Sequence, residues 1–267
     1  MPTHTDSAAA EQAAAILFEA RRTQPRAPLA PLPPGLAPAG EAAAYVVQRA
    51  LARRFDADPP AGFKIGATTR QMQEYLGLAG PAAGFVPPGG LRATPAEFRF
   101  ADFFQPGVEC EIGLRLGRDI PPGPCSREAA EGAVAEVFPA IEIVERRYGP
   151  DLAAFGTPSL IADQVFHAAG VLGAPAPDWR SLDLGATRGR IWVAGEQRGE
   201  GHGRDLLGHP MEALAWLAGS AAAREFGGLR AGQVVFLGSV TPPIWLDGPC
   251  TVRIEFDGLG AVEVRFA

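Results

Sequence analysis

The sequence lacks the cysteine pattern of a disulfide-bonded or zinc-binding protein. Its three cysteines, Cys110, Cys125 and Cys250, are an odd number with no C-x-x-C spacing. This count argues against a disulfide framework and a structural zinc site, and it favours a reducing compartment. Long apolar runs are missing too, since none approaches the ~18 residues of a membrane-spanning helix. We therefore expect no membrane partner.

An excess of basic charge is also absent. The 267 residues include 24 basic and 30 acidic side chains, a net charge of −6, and the arginines are scattered rather than gathered in one stripe. A nucleic-acid partner is therefore not expected, whereas an acidic small molecule is allowed because a local site can oppose the global charge. Residues 1–22 contain acidic side chains and no basic leader, so we expect a globular, cytoplasmic protein.

Lysine is nearly absent, because Lys64 is the only lysine among the 24 basic residues. Such a preference for arginine leaves lysine where a compact ammonium group is required, since a guanidinium does not deprotonate readily or occupy the same space. The alternative is that one lysine survived by chance. Gly62 and Gly66, on the same face of an expected strand, leave room for a ligand and favour a functional position.

The sequence of residues 1–57 predicts an N-terminal helical arm. An alanine-rich segment that Asp6 or Ser7 could cap predicts a first helix, and the spacing of apolar residues predicts a second over 41–55. The proline-rich connector 25–38 cannot be helical throughout.

Residues 58–267 predict a β-rich catalytic body, because short apolar or alternating runs are separated there by glycine and proline. Thr68 and Gln71 form a capping box that predicts a short helix, another helix follows Ser126, and the longest spans 211–226. Expected strands cover 63–67, 108–116, 138–144, 190–193, 234–238, 251–256 and 262–266.

Three glutamates could form one site. Glu109 and Glu111 are two residues apart in an expected strand, so their carboxylates share a face; taken alone, such a pair usually belongs to a solvated surface. Glu142 lies in an apolar strand, where a carboxylate needs a partner because its burial is costly. Together they would offer an all-oxygen site for Mg²⁺ or Mn²⁺, whereas the alternative for Glu142 is an ion pair with an arginine such as Arg146.

Six segments of the chain resemble one known enzyme family. They are GFKIGATTRQMQEYLG, PGVECEIGLRLGRDI, VFPAIEIVERR, LIADQVFHAAGVLG, GHPMEALAWLA and GLRAGQVVFLGS. In this order they resemble the 2-keto-4-pentenoate hydratase and 4-oxalocrotonate decarboxylase family within the fumarylacetoacetate hydrolase superfamily. The resemblance covers about residues 62–267. The N-terminal arm resembles the family only in its predicted helices. It implies an α+β fold, with a helical arm on a mixed, strongly bent β-sheet body.

The resemblance also implies roles for individual residues. Glu109, Glu111 and Glu142 match the ligands of a divalent metal, Mg²⁺ or Mn²⁺, and Lys64 matches the catalytic lysine beside the substrate. Asp163 matches an acidic residue near the site, which we expect to take part in catalysis.

The substrate end of the expected pocket departs from the family pattern. Gly238 and Ser239 match a glycine–hydroxyl turn that helps to hold the substrate carboxylate, but 163–167 reads Asp-Gln-Val-Phe-His where the family usually has Asp-Asn-Ala-Ser-Ser. Phe166 is therefore expected to contact the substrate and narrow the pocket. His167 is expected either to move protons near neutral pH or to be structural.

The function implied by the resemblance is that of a Mg²⁺-dependent lyase acting on a 2-oxo or 2-hydroxydienoic acid in the degradation of aromatic compounds. Hydration of a monocarboxylic acid such as 2-hydroxypenta-2,4-dienoate is favoured, because a narrow apolar pocket disfavours a second carboxylate. The alternatives are decarboxylation of 2-oxohex-3-enedioate, hydrolysis of an acylpyruvate, and a non-catalytic metal-binding assembly partner. We also expect a homo-oligomer.

Overall fold

A computed structural model describes residues 4–23, 27–148 and 152–267. The α-helices in these ranges are α1 (His4–Arg22), α2 (Glu41–Arg54), α3 (Arg70–Leu76), α4 (Arg127–Gly132), α5 (Leu152–Phe155), α6 (Thr157–Ala162), α7 (Pro210–Gly219) and α8 (Ala221–Phe226). The strands are β1 (Gly62–Gly66), β2 (Ala82–Val86), β3 (Leu91–Ala93), β4 (Ala96–Phe98), β5 (Pro106–Leu116), β6 (Val134–Glu145), β7 (His167–Leu172), β8 (Arg188–Val193), β9 (Glu196–His202), β10 (Val234–Ser239), β11 (Ile244–Trp245), β12 (Cys250–Phe256) and β13 (Gly260–Phe266). None of the helices in the described ranges combines the length and the apolar character that a membrane crossing requires.

Two β-sheets organise the body. Within the described residues, eight strands form the larger sheet, in the order β2-β1-β10-β5-β6-β7-β3 with β11 paired to β5, and five form the smaller, β4-β13-β12-β8-β9. The larger sheet is mixed, since β1 runs parallel to β10 whereas β5 runs antiparallel to β6. Most buried apolar side chains of the helices and of both sheets form one core. A smaller cluster around Phe138 and Phe236 lies on the larger sheet. This arrangement is the predicted α+β fold.

The N-terminal helices pack on each other and on the body. The rings of Phe18 in α1 and Phe55 after α2 meet edge to face, with their centroids 4.7 Å apart. Within the described residues α1 spans His4–Arg22, so Asp6 and Ser7, predicted as its cap, lie inside the helix. The described part of the connector, 27–38, is not helical, as predicted, and residues 25 and 26 lie outside the described residues. The division into domains 1–57 and 58–267 stays a prediction.

The seven predicted strands are present with shifted ends, but two predicted helices differ. Thr69 rather than Thr68 caps α3, since its hydroxyl accepts a hydrogen bond from the Met72 amide. The predicted helix 211–226 is two helices, α7 and α8. Ser220 interrupts it with an extended backbone and caps α8 by accepting a hydrogen bond from the Ala223 amide.

The long central strands β5 and β6 position the candidate site. Nearly every residue of both strands is buried, which is typical of strands covered on both faces. They pair antiparallel in a register that sets Glu109 directly opposite Glu142. Charged side chains from two strands therefore meet inside the larger sheet.

Candidate active site

A pocket of about 690 Å³ lies beside the paired strands β5 and β6. This volume is typical of a site for a small molecule. Its walls come from β1 and the start of α3, the end of β6, the segment before β7, and the region from β10 to β11. The residues that line the pocket include Lys64, Glu109, Arg146, Phe166, Ser239 and Trp245.

The three predicted glutamates form one cluster at this pocket. Glu109, Glu111 and Glu142 each offer a carboxylate oxygen, and these oxygens lie within 4.8 Å of one another. Glu109 is half-buried and borders the pocket, whereas Glu111 and Glu142 are fully buried. Alternation along β5 puts Glu109 and Glu111 on one face, and pairing with β6 adds Glu142.

The carboxyl groups strongly perturb one another. Burial and the neighbouring Glu142 raise the pKa of Glu109 to about 8. Burial, Glu142 and Glu109 together raise the pKa of Glu111 well above its usual range. Burial also acts to raise the pKa of Glu142, but Lys64 and His167 outweigh it and hold that pKa below the usual value. Glu142 is therefore the anionic centre of the cluster.

The cluster has the composition of a site for a hard cation. Oε1 of Glu111 and Oε2 of Glu142 are buried without a hydrogen-bond partner, although buried polar atoms normally have one. Within the described residues, the group consists only of carboxylates, with no cysteine or histidine among the donors. Such oxygen donors suit Mg²⁺, Mn²⁺ and Ca²⁺.

Lys64 is buried beside this cluster and borders the pocket. Its Nζ donates a hydrogen bond to the Val165 carbonyl at 2.6 Å and lies 3.5 Å from Oε1 of Glu142. An ammonium group has three N–H donors, so one can still meet a ligand. Of the two glycines expected to leave room for that ligand, only Gly66 borders the pocket. A Cβ at Gly62 would lie 2.0 Å from a backbone oxygen of β10, so that glycine serves strand packing.

The segment 164–166, between α6 and β7, is strained and shapes the site. Its three residues have φ values of 63°, 46° and 67°, and this left-handed conformation costs roughly 1 kcal/mol or more per non-glycine residue. The turn directs the Val165 carbonyl at Lys64. It also places Phe166 on the pocket wall, where the sequence predicted a substrate contact.

His167 lies behind the carboxylates rather than on the pocket wall. It is buried, and its Nδ1 donates a hydrogen bond to Oε1 of Glu142 at 2.9 Å. Burial lowers the pKa of His167 despite this contact with a carboxylate. A neutral imidazole that holds Glu142 in place accounts for this geometry. Of these two described residues, only Phe166 borders the pocket, and the catalytic role expected of His167 stays a prediction.

Asp163 is also away from the pocket, in a buried ionic cluster. Its Oδ1 accepts from Nε of Arg21 at 2.7 Å, and its Oδ2 accepts from Nη2 of Arg147 at 2.6 Å and from the Tyr148 hydroxyl at 2.8 Å. Arg21, in α1, also donates to the backbone carbonyls of Asp163 and His167. The cluster thus ties the N-terminal helix to the strained segment. No local sequence pattern marks Arg21, because its partner is 142 positions away.

The two residues of the predicted glycine–hydroxyl turn, Gly238 and Ser239, make different contacts. The Gly238 amide donates to Oε2 of Glu111 at 2.9 Å, so Gly238 orients a carboxylate instead of bordering the pocket. Its φ is +104°, and a Cβ there would lie 2.5 Å from Thr68. Ser239 does border the pocket, and its Oγ accepts from the Cys110 amide at 3.1 Å.

Two pocket residues were not identified as such from the sequence. Arg146 was considered as an ion-pair partner of Glu142, but Glu142 contacts Lys64 and His167 instead. The guanidinium of Arg146 lies over the ring of Trp245, with Cζ 4.4 Å from the ring centroid. Trp245 has no recognisable motif because its position depends on the pairing of the short strand β11 with β5.

Known proteins are similar to this chain in sequence. The fumarylacetoacetate (FAA) hydrolase C-terminal family matches residues 67–267. The 2-keto-4-pentenoate hydratase of Paraburkholderia phymatum is 33% identical over 261 residues, which are 96% of this chain and 97% of that protein. The 2-hydroxyhexa-2,4-dienoate hydratase of Comamonas testosteroni is 30% identical over 208 residues, 77% of each chain.

Solved structures share the fold. The 4-oxalocrotonate decarboxylase from Pseudomonas putida G7, complexed with magnesium and adipate, matches with a TM-score of 0.85 and 22% identity over 100% of this chain and 99% of that chain. Fumarylpyruvate hydrolase from Pseudomonas aeruginosa, in complex with Mn²⁺ and pyruvate, matches with a TM-score of 0.61 and 18% identity over 77% and 88%. The predicted fumarylacetoacetate hydrolase type of fold is confirmed. With its sequence relatives, this shows that the chain belongs to the 2-keto-4-pentenoate hydratase and 4-oxalocrotonate decarboxylase family of the fumarylacetoacetate hydrolase superfamily.

Proposed function

We propose that this enzyme is a divalent-metal-dependent lyase of aromatic-compound degradation that adds water to a 2-hydroxydienoic acid. The observation that carries the proposal is the cluster of Glu109, Glu111 and Glu142 beside Lys64 at one pocket. Relatives that align over nearly the whole chain are named as hydratases, which supports hydration. A cytoplasmic location and a homo-oligomeric state, both expected from the sequence, are part of the same proposal.

The residues fit a divalent cation, because three carboxylates supply hard oxygen donors and two of their buried oxygens have no other partner. Glu109, Glu111 and Glu142 would hold Mg²⁺ or Mn²⁺. When bound, such an ion polarises the carboxylate and the 2-oxygen of an acid substrate. The Gly238 amide and His167 Nδ1 each fix one of these carboxylates, as the hydrogen-bond partners of metal ligands commonly do.

Lys64 would supply a second positive group next to the reacting oxygen. The Val165 carbonyl and Glu142 fix the direction of its ammonium group, and the remaining N–H can donate to the 2-oxygen as negative charge develops there. The Ser239 hydroxyl donates a long hydrogen bond to the Cys110 carbonyl at 3.3 Å, while its Oγ accepts from the Cys110 amide. It would turn away from that carbonyl to donate to the substrate carboxylate. Hydration of 2-hydroxypenta-2,4-dienoate places the hydroxyl of water on C4 and new hydrogens on C3 and C5. One of these hydrogens comes from water and the other from the 2-hydroxyl, which becomes the 2-oxo group.

The aromatic wall of the pocket would hold the carbon chain. Phe166 and Trp245 both border the pocket, with their ring centroids 6.3 Å apart. Apolar rings exclude water from the chain of the acid. Electrostatic contacts at the carboxylate end are stronger in such surroundings.

The metal site is testable by calorimetric titration. Chelator-treated protein should bind one equivalent of Mg²⁺ or Mn²⁺. The preference of this site for these ions over Zn²⁺ should exceed that of sites with nitrogen or sulfur ligands, because the cluster offers only oxygen donors. Glu142→Gln should weaken this binding by more than about 100-fold. Glu136→Gln, a matched change at a partly exposed position of the same strand, should leave it intact. Equal affinity in both variants would remove Glu142 from the site.

The reaction is testable with 2-hydroxypenta-2,4-dienoate. Protein loaded with Mg²⁺ should consume the conjugated absorbance of this acid without release of CO₂, and Glu142→Gln should be inactive. An inert wild-type protein that nonetheless binds the metal would contradict hydration of this substrate class.

A further inference from the structure

Arg146 differs from the other buried or half-buried arginines near the site. Arg21 and Arg147 are both ion-paired to Asp163. By contrast, no carboxylate of the described residues lies within ion-pair distance of Arg146, although it borders the pocket. Its guanidinium is stacked on Trp245, which holds the planar group in one orientation. The pocket wall therefore includes a fixed, half-buried cation that has no counter-charge among the described residues.

The position of Arg146 sets the length of ligand that it could bind. The β5–β6 ladder continues past Glu145, since the Arg146 amide donates to the Gln105 carbonyl at 3.0 Å. Arg146 is four residues beyond Glu142, which pairs with Glu109. At a strand rise of ~3.3 Å per residue, the two levels are about 13 Å apart. The backbone positions of the carboxylates and of Arg146 are thus separated along one pocket, with Val144 between them.

Other charged groups do not serve the far end of the pocket. His167 does not border the pocket in the described structure and donates to Glu142. Lys64 is held at the carboxylate end. Asp205, another charged residue of the wall, accepts a hydrogen bond from the His202 amide and would repel an anion. Arg146 is the cation available to a ligand at that end.

We propose that Arg146 is a specificity-determining residue that binds a carboxylate at the distal end of the substrate. The preferred substrate is then an elongated dicarboxylic 2-oxo acid, with its 2-oxo acid end at the glutamates and its second carboxylate on the guanidinium. Phe166 and Trp245 flank the carbon chain between these ends. The inference rests on the proposed function, because the metal end must bind a 2-oxo acid. It reverses the preference for a monocarboxylic acid expected from Phe166 and His167.

The test compares two unreactive acids that differ only in the distal carboxylate, 2-oxohexanedioate and 2-oxohexanoate. Binding to Mg²⁺-loaded protein is measured by calorimetry. The dicarboxylic acid should bind more tightly, and Arg146→Gln should weaken its binding by on the order of 10- to 100-fold while leaving the monocarboxylic acid unchanged. Arg146→Lys should restore part of the affinity, because it keeps the charge without the planar fork.

The control is Arg99→Gln, which removes the same charge from an exposed position outside the pocket and should change neither affinity. With 2-hydroxyhexa-2,4-dienedioate, the dicarboxylic counterpart of the proposed substrate, Arg146→Gln should raise KM far more than it lowers kcat, which a general loss of folding would not do. If both acids bind equally and Arg146→Gln alters neither, the role of Arg146 is wrong while the proposed function stands. If neither acid binds, both proposals fail.

Discussion

Lys64→Arg is expected to lower kcat by roughly 100- to 1,000-fold, the loss typical of removing one donor that stabilises developing negative charge. Arginine keeps the positive charge of Lys64 but needs more space. Lys64 is buried, its Nζ already lies 2.6 Å from the Val165 carbonyl, and a Cβ at the facing Gly84 would lie 3.2 Å from its Cε. A longer, planar guanidinium cannot occupy this position without displacing the strained segment. Steady-state kinetics with the Mg²⁺-loaded enzyme measures the effect.

Metal binding provides the control for this substitution. The chain has no other lysine for a matched change, so calorimetry of Lys64→Arg with Mg²⁺ must show that the glutamate cluster is still assembled. Retained metal binding with lost turnover would assign the loss to the ammonium group. Turnover close to that of the wild type would show that Lys64 is not required.

Asp163→Asn is expected to reduce the free energy of unfolding by about 3 to 5 kcal/mol, because it leaves two buried guanidinium groups without their shared counter-charge. Both carboxylate oxygens of Asp163 are used, by Arg21 on one side and by Arg147 and Tyr148 on the other. Urea unfolding measures the change. Activity should fall as well, since Asp163 adjoins the strained turn that supplies the Val165 carbonyl to Lys64.

The loss of stability in Asp163→Asn should depend on pH. Burial acts to raise the pKa of Asp163, but Arg147 and Arg21 outweigh it and hold that pKa below its usual value. A carboxyl with a lowered folded-state pKa stabilises the fold above its unfolded-state pKa of about 3.9, and this stabilisation is lost as the pH falls through the folded-state value. The difference between wild type and Asp163→Asn should therefore be largest near neutral pH and shrink in acid.

An exposed ion pair offers the matched control. Asp257 pairs with Arg190 at the surface, and Asp257→Asn should change stability little. Equal effects of the two substitutions would show that the Asp163 cluster contributes no more than a surface pair.

Much of the fold follows from local patterns. Alternating or continuous apolar runs predicted the seven strands, and Ser126 caps α4 as expected. The spacing of Glu109 and Glu111 fixed their common face, because side chains alternate along a strand. Burial of Glu142 in an apolar run required a partner. These inferences need only short stretches of sequence, whose physics is local.

Long-range packing decided the remaining features. The sequence by itself determined the family, seven of the strands and the candidate carboxylate ligands, together with the singular position of Lys64. Only the tertiary structure placed Asp163 between Arg21 and Arg147, turned His167 towards Glu142, and stacked Arg146 on Trp245 in the pocket wall. The physical reason is that the partner of a charged side chain is set by the register and contact of distant segments, which no local periodicity encodes.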